Sequence, residues 1–513
     1  MTLKLIVSFL LGSLLVLAFE PFNFWLLACI IPISAYFLIK RTEAIDSFLI
    51  GWAFGLGLWI FGIFWIENSI HNYGGADEIT SILITLILAI FLSLFFASTF
   101  FLFSLIKKNN SFDLIFLFPS LWILGEWLRE FLFSGFPWLY LGYTSIDNFF
   151  FSGFIPLIGV FGIGFFMMFI PANIILLISS IKNNYSNNAI IFSFLSVILF
   201  FGSSFFFFNK DWTEEYKKVS VVVVQPNISI EEKWSAQGEK ESLELLQSVI
   251  LKETNRVSKE KNNIKIIFFP EAFLPGIFSG YKKVLSPLLA LTEKFNVGVI
   301  VGTLTNKEKN PKEINNSLIS FGVLEGQFDK QKLVPFGEYV PLPFFNYLFD
   351  FFNFNRPSIQ SSQNNNLIES SEINISSAIC YEIAYQDIFL KHAEKSNLLF
   401  NASNDNWFGD SIGPHQHLQI SRFRAAEQRK PLIRSTSTGI SAVINRFGKV
   451  IESASIDDEI LKNYNPEIIN ESIVSRKGQT PFSIIGKTPM LIFITFIIFC
   501  FFSCKLFFKN EKN

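Results

Sequence analysis

The chain has 513 residues, half of them hydrophobic and 64 of them Phe, with a formal net charge of -1 and a mean hydropathy of +0.40. That composition excludes an ordinary soluble domain set and a disordered chain, and four cysteines are too few for a disulfide scaffold. The charge balance, with no basic cluster, argues against nucleic acid as the main partner, because neutralising phosphates needs a cationic stripe.

Charge is unevenly spread. Residues 1–208 hold 7 of the 42 Lys and Arg and 10 of the 43 Asp and Glu, so the chain reads as two materials joined near residue 209. Apolar stretches suited to crossing about 30 Å of hydrocarbon lie at 3–19, 24–39, 47–66, 79–106, 112–128, 155–181, 189–208 and 489–504. The first runs into Glu20-Pro21-Phe22 with no small-residue cleavage site, and a second follows at once, so an uncleaved helix is expected rather than a signal peptide. Lys4, Lys40 with Arg41, Lys107 with Lys108, Lys182, and then Lys505, Lys509 and Lys512 fall in alternate loops, and the intervening short loops hold only Arg129. By the positive-inside rule both termini are cytoplasmic and the polar block lies outside, in a bacterium on the periplasmic side of the inner membrane.

The segment Gly135-Phe136-Pro137-Trp138-Leu139-Tyr140 is too broken by Gly and Pro to span. It reads either as an interfacial aromatic belt or, with Trp138, as a wall of the groove through which lipid enters.

From Val219 the pattern becomes β-branched runs at 219–227, 264–273, 297–305, 315–324, 373–380, 396–405, 431–439 and 440–448. Helical spacing of apolar residues appears at 235–258, 280–295, 383–395 and 415–430. Strands this continuous in Val and Ile are buried on both faces, which predicts a layered α/β domain. Loop 335–365 looks like a membrane-proximal arm, and the Asn/Ser-rich stretch 359–372 like a mobile surface turn.

Cys29, Cys500 and Cys504 fall in predicted spans, which leaves Cys380 as the only thiol of the outer block. At the end of a strand it is either a small buried hydrophobe or a nucleophile, which needs a base or a cation nearby. His415 and His417 open a helix, and their plainer reading is capping and surface hydrogen bonding. Glu271, just after Pro270 at the end of its own strand, and Lys330 do better. A carboxylate, an ammonium and a thiol at strand ends make an acyl-transfer centre without histidine.

Glu271 in FFPEAFLP, Lys330 in FDKQKLVPFGEYVP and Cys380 in AICYE stand 59 and 50 residues apart, and they resemble the Glu-Lys-Cys triad of the nitrilase superfamily. With the spans around them, and with LAFEPF at 17–22, GFPWL at 135–139, VVQPNISIEEKW at 223–234 and SNDNWFGDSIGPHQHLQISRFRAAE at 403–427, the whole chain is similar to the apolipoprotein N-acyltransferases. The resemblance implies a multi-span α-helical membrane domain of eight transmembrane helices with a nitrilase-like α/β (αββα) extramembrane domain. Its parts would be seven spans in 1–208, the catalytic domain in 209–485, and a last span with a cytoplasmic tail in 486–513.

By the same resemblance Cys380 is the nucleophile that takes an acyl chain from a phospholipid as a thioester, Glu271 the general base, and Lys330 the cation at the oxyanion. Glu338, Tyr381, Glu382 and Trp234 match residues near that centre, and for Glu338 and Glu382 orienting Lys330 or a loop is an equal reading. The acceptor would be the α-amino group of the S-diacylglyceryl cysteine of an apolipoprotein. No metal or organic cofactor is expected, and the enzyme is expected to act as a monomer. Lys332, Phe328, Asn406 and Ser437 depart from the family's usual residues. The rival readings are a membrane-tethered amidase acting on a small amide, and a transporter or scaffold with an inert outer domain.

Overall fold

The computed structural model describes residues 1–182, 187–257, 264–307, 310–341, 346–347, 359–362, 366–454 and 465–510. Most of the expected arm at 335–365, part of the 359–372 turn, and Lys512 lie outside the described residues. The chain divides into two units. One comprises Met1–His71, Ala76–Lys210 and Ile485–Asn513, the other Asn72–Gly75 and Asp211–Ile484.

The first unit is helical: α1 (Thr2–Leu15), α2 (Leu26–Ile39), α3 (Ala44–Gly62), α4 (Glu78–Ile106), α5 (Phe118–Phe131), α6 (Ile155–Lys182), α7 (Asn187–Asn209) and a C-terminal helix, Thr488–Asn510. Among the described residues, five helices are long and apolar enough to cross a membrane: Ala44–Gly62, Glu78–Ile106, Ile155–Lys182, Ile190–Asn209 and Thr488–Lys505. The apolar helices over Thr2–Ala18 and Leu26–Ile39 are shorter. In lipid, helices gain little from hiding apolar surface from each other, so close packing must hold them. Gly51 and Gly55, one helical turn apart on α3, supply it. A Cβ on Gly51 would stand 2.5 Å from the Phe96 carbonyl oxygen, and one on Gly55 2.6 Å from the Ser93 Cα. Trp122 of α5 then packs edge-on against Phe54 and Phe96.

The GFPWL segment is not an interfacial belt. Trp138 is 1 % exposed and Tyr140 is fully buried, because α5 pins the segment from inside. Arg129 Nη2 donates to the Trp138 carbonyl at 2.9 Å, and Glu126 Oε1 accepts the Leu141 amide at 2.9 Å and the Trp122 indole at 3.1 Å. The Arg129 guanidinium lies over the rings of Trp59 and Tyr140, 4.5 and 5.2 Å from their centroids. A broken backbone away from water needs such partners, and cation–π contact compensates a charge held among aromatics.

The second unit stacks two sheets. The first runs in the order β13-β1-β2-β4-β5-β6, with β3 beside β4, and the second in the order β12-β11-β10-β9-β8-β7. Their strands are β1 (Glu214–Gln225), β2 (Ile264–Phe268), β3 (Leu274–Ile277), β4 (Val297–Lys307), β5 (Asn310–Gly322), β6 (Gln327–Asp329), β7 (Ile368–Glu369), β8 (Asn374–Ile379), β9 (Leu398–Ser403), β10 (Leu432–Thr436), β11 (Ala442–Ile444), β12 (Val450–Ser453) and β13 (Glu467–Lys477). Strands β1, β2 and β4 pair in parallel, as do β8, β9 and β10. Alternate residues face opposite ways. Val222, Val224 and Ile267 join a core with Leu246, Ile250 and Leu285 of α9 (Ala236–Val257) and α10 (Phe278–Lys294). On the other face Phe268 meets Phe400 of the second sheet, ring centroids 4.8 Å apart. Helix α11 (Gly413–Gln428) covers the outer face of the second sheet, where Ser421 reaches Arg434 of β10. The order is helix, sheet, sheet, helix. One short helix precedes α9: α8, Ile230–Lys233.

Residues 383–395 do not form the expected helix. They make short 3-10 turns, Gln386–Ile388 and Leu390–His392, with Phe389 and Ala393 buried and the carbonyl of Ala393 held by the Lys430 ammonium.

Candidate active site

Parallel strands open their C-terminal ends to one rim, and α/β folds gather functional groups there. The loop after β2 carries Glu271. It lies tight on β4, where a Cβ on Gly302 would stand 2.2 Å from the Pro270 carbonyl oxygen and 2.8 Å from the Glu271 Cα, so only glycine fits. Lys330 follows β6, its amide bonded to the Asn316 carbonyl at 2.8 Å. Cys380 follows β8 with a left-handed φ of 53°. For a side chain with a Cβ that backbone costs about 1–2 kcal/mol, which marks a sharp turn lifting the thiol out of the strand.

Lys330 is 1 % exposed. Its Nζ donates to Glu271 Oε1 at 3.1 Å and to Glu338 Oε1 at 2.8 Å. Asn316 Nδ2 donates to the same Glu271 oxygen at 2.8 Å, while the buried Oε2 of Glu271 has no hydrogen-bond partner among the described residues. Glu338 also accepts the Val334 amide at 2.8 Å with its other oxygen, so it orients both Lys330 and its own loop. Burial disfavours the Lys330 charge, but the carboxylates of Glu271 and Glu338 outweigh it and hold its pKa well above the usual lysine range. Burial, then the nearby Glu271 carboxylate, push the Cys380 thiol up to about 12, with Lys330 pulling the other way. The resting sulfur is therefore protonated. The arrangement can take the thiol proton onto Glu271 while an ammonium stands by to meet developing negative charge.

Tyr381 is buried, its ring centroid 5.6 Å from that of Tyr385. Glu382 is fully buried and accepts three backbone amides: Gln331 at 2.5 Å and Lys332 at 2.8 Å on one oxygen, Ile379 at 2.8 Å on the other. Trp234 is half exposed just after α8. Trp138 belongs to the helical unit and is not among these residues. Of the unusual positions, Lys332 places its ammonium 5.1 Å from the centre of the Tyr385 ring, and Phe328 is buried in β6. Asn406 Nδ2 bonds Asn404 Oδ1 at 2.9 Å, and Ser437 contributes a carbonyl that accepts the Asn227 amide at 2.9 Å.

Two features were invisible to sequence spacing. His417 is not a surface residue: it is fully buried, with Nε2 3.2 Å from the Cys380 carbonyl oxygen and Nδ1 3.1 Å from both Asp405 Oδ1 and Arg434 Nη2. Lys233, at the end of α8, is 2 % exposed. Burial lowers its pKa to about 8, against a supporting pull from the Glu271 carboxylate. Lys233 directly precedes Trp234 in a quoted motif, and Asp405 and His417 lie in another, so the motifs held these residues without assigning them a place.

Residues 11–173 match the family model described as apolipoprotein N-acyltransferase N-terminal domain, and residues 221–462 the carbon-nitrogen hydrolase model. The chain is similar to the apolipoprotein N-acyltransferase of Pasteurella multocida, with 31 % identity over 93 % of this chain and 91 % of that protein. The same enzyme of Haemophilus influenzae is 30 % identical over 99 % and 96 %, and that of Coxiella burnetii 31 % over 96 % and 99 %. The two-sheet unit is thus a nitrilase-like carbon-nitrogen hydrolase fold. With that likeness running nearly end to end, the chain belongs to the apolipoprotein N-acyltransferase family.

Proposed function

We propose that this acyltransferase moves an acyl chain from a phospholipid to the α-amino group of an S-diacylglyceryl cysteine at the start of an apolipoprotein, through a thioester on Cys380. The observation that carries the reading is the division of labour on Glu271. One oxygen is saturated by Lys330 and Asn316, and the other, buried, is without a partner among the described residues and open to a proton. In the first half the sulfur attacks the ester carbonyl, Glu271 takes the thiol proton, and the tetrahedral oxyanion forms by Lys330. Collapse expels the lysophospholipid alkoxide, which takes the proton back from Glu271. In the second half the free amine attacks the thioester, Glu271 takes its proton, and the departing thiolate recovers it as the amide forms. A thiol with a pKa near 12 suits this timing, since the base removes its proton only as the carbon–sulfur bond forms.

The helical unit is read as eight membrane spans, seven in 1–208 and one in 486–513, with residues 209–485 on the periplasmic face of a bacterial inner membrane and the enzyme acting as a monomer. Five helices of sufficient length among the described residues and the alternation of Lys and Arg between loops support that reading. Relatives that match over nearly the whole chain disfavour the amidase alternative.

The test uses labelled phospholipid without acceptor. The wild type should accumulate a covalent acyl group released by neutral hydroxylamine, Cys380→Ala should take up none, and Glu271→Gln and Lys330→Met should acylate on the order of a hundredfold more slowly. A diacylated lipopeptide with a free amino terminus should discharge the label as an amide, and blocking that amine should stop it. Absence of label on folded wild type, or label that survives loss of Cys380, overturns the reading.

A further inference from the structure

Cys380 stands at the rim where the parallel strands end, and three guanidiniums meet at the rim where they begin. Arg429 closes α11 three residues before β10, Arg446 stands in the turn between β11 and β12, and Arg476 lies on β13. The Arg476 amide donates to the carbonyl of Asn397, just ahead of β9, at 3.0 Å. Its Nε donates to the Thr213 hydroxyl at 2.7 Å, which in turn donates to the Arg429 carbonyl at 2.7 Å. The guanidiniums of Arg429 and Arg446 each lie 4.6 Å from the centre of the Phe447 ring.

Negative charge falls short here. Among the described residues the carboxylates in contact are Asp211, with Arg446 Nη2 at 2.7 Å and Arg476 Nη2 at 3.5 Å, and Glu215, with Arg476 Nη1 at 3.6 Å. Both are mostly exposed, where an ion pair holds weakly, and neither bonds Arg429. Arg429 is 2 % exposed, and its Nε and Nη2 are buried with no hydrogen-bond partner among the described residues. Burial, and next the Arg446 charge, lower the pKa of both Arg429 and Arg476. A guanidinium keeps its proton all the same, so its burial is costly unless an anion meets it.

We propose that Arg429, Arg446 and Arg476 bind the phosphate of an acidic phospholipid headgroup, at a site separate from the acyl donor at Cys380. Nε and Nη2 form one edge of a guanidinium, two N–H groups side by side that match two phosphate oxygens. Three guanidiniums against two carboxylates leave one positive charge, which a headgroup with a net negative charge neutralises; a headgroup carrying its own ammonium would bring a cation back. Chain connectivity favours a lipid over free phosphate. Asp211 is two residues beyond the end of α7 at Asn209, a reach of at most about 7 Å, and basic pockets beside a span recognise anionic headgroups. The lipid source rests on the membrane spans proposed above.

The test melts the full chain, carrying Cys380→Ala so that no lipid is consumed, in neutral detergent micelles with rising mole fractions of phosphatidylglycerol or phosphatidylcholine. A further arm adds inorganic phosphate to phosphatidylcholine micelles, against chloride at equal ionic strength. A ligand that binds only the folded chain raises its melting temperature. Phosphatidylglycerol should raise it by several degrees more than phosphatidylcholine, and inorganic phosphate should not match that rise. Arg429→Met should need about tenfold more phosphatidylglycerol for the same rise, the scale of one charge-assisted hydrogen bond. Arg446→Gln, in a partly exposed turn, should shift the response the same way and decides alone if Arg429→Met does not fold. No difference between the two lipids, or an unchanged phosphatidylglycerol response in the folded variants, overturns the site. An equal rise with inorganic phosphate overturns the lipid assignment. The thiol is absent throughout, so these results are independent of the thioester chemistry, and the spans are judged separately by reporters fused after residues 210 and 513.

Discussion

One oxygen of Glu382 accepts the amide of Lys332 at 2.8 Å. Because its other oxygen holds the amide of Ile379, a single carboxylate ties the loop that follows Lys330 to the strand end that presents Cys380. Ammonium and sulfur are thereby set relative to each other by a residue that need not touch substrate.

Glu382→Gln replaces one accepting oxygen by an NH2, which opposes a backbone N–H at a cost of about 1–3 kcal/mol. The expected outcome is about a tenfold loss of the acylation rate with little change in half-saturating phospholipid, and a lowered melting temperature. Burial, against three backbone donors, raises the Glu382 carboxyl to about 7. A raised carboxyl favours the folded state fully below its unfolded value, and that contribution is lost as pH rises through about 7. Melting curves from pH 5 to 8 should show this falling component in the wild type and not in Glu382→Gln.

Lys233 carries the opposite sign. Its pKa falls from 10.5 to about 8, so between those values the unfolded chain binds a proton that the folded one does not, and stability rises with pH across that window. Lys233→Met should remove that rise and be more stable at pH 7, by about 3 kcal/mol from the size of the shift. Denaturation of both proteins between pH 7 and 10.5 measures the difference. A rise as steep in Lys233→Met as in the wild type would assign it to another group.

The proposed membrane orientation rests on the alternation of Lys and Arg between loops. A reporter active only when exported should work when fused after residue 210, and one active only in the cytoplasm when fused after residue 513. Both reporters indicating the same side would rule out eight spans.

Legibility differed between elements for physical reasons. Strands β1, β2, β4, β8, β9 and β10 were readable because a buried parallel strand is apolar on both faces. Strand β13 was missed. It pairs antiparallel with β1 along the sheet edge and alternates between buried and exposed residues, so it offers no continuous apolar run. Helix α11 misled in another way. Its sequence, GPHQHLQISRFRAAEQ, is polar, yet every residue except His415 is buried. Polarity ordinarily reports exposure, but here Arg422 donates to the Gly448 carbonyl at 2.8 Å and Arg424 to that of Ile383 at 2.9 Å, and partners replace water.

The amino-acid sequence by itself determined where the five helices long and apolar enough to cross a membrane among the described residues lie and where the parallel strands run, and it singled out a thiol, an ammonium and a carboxylate as a candidate centre. Those properties depend on the transfer energy of local segments, or on short motifs whose residues are adjacent in the chain. Only the tertiary structure decided that Trp138 is buried with its carbonyl held by Arg129 and that His417 reaches the carbonyl of Cys380. The tertiary structure also decided that Glu382 ties two loops together. Each of these depends on a polar group finding a partner from a separate element, and the free energy of burying a charge or a ring nitrogen is set by that partner rather than by its neighbours in sequence.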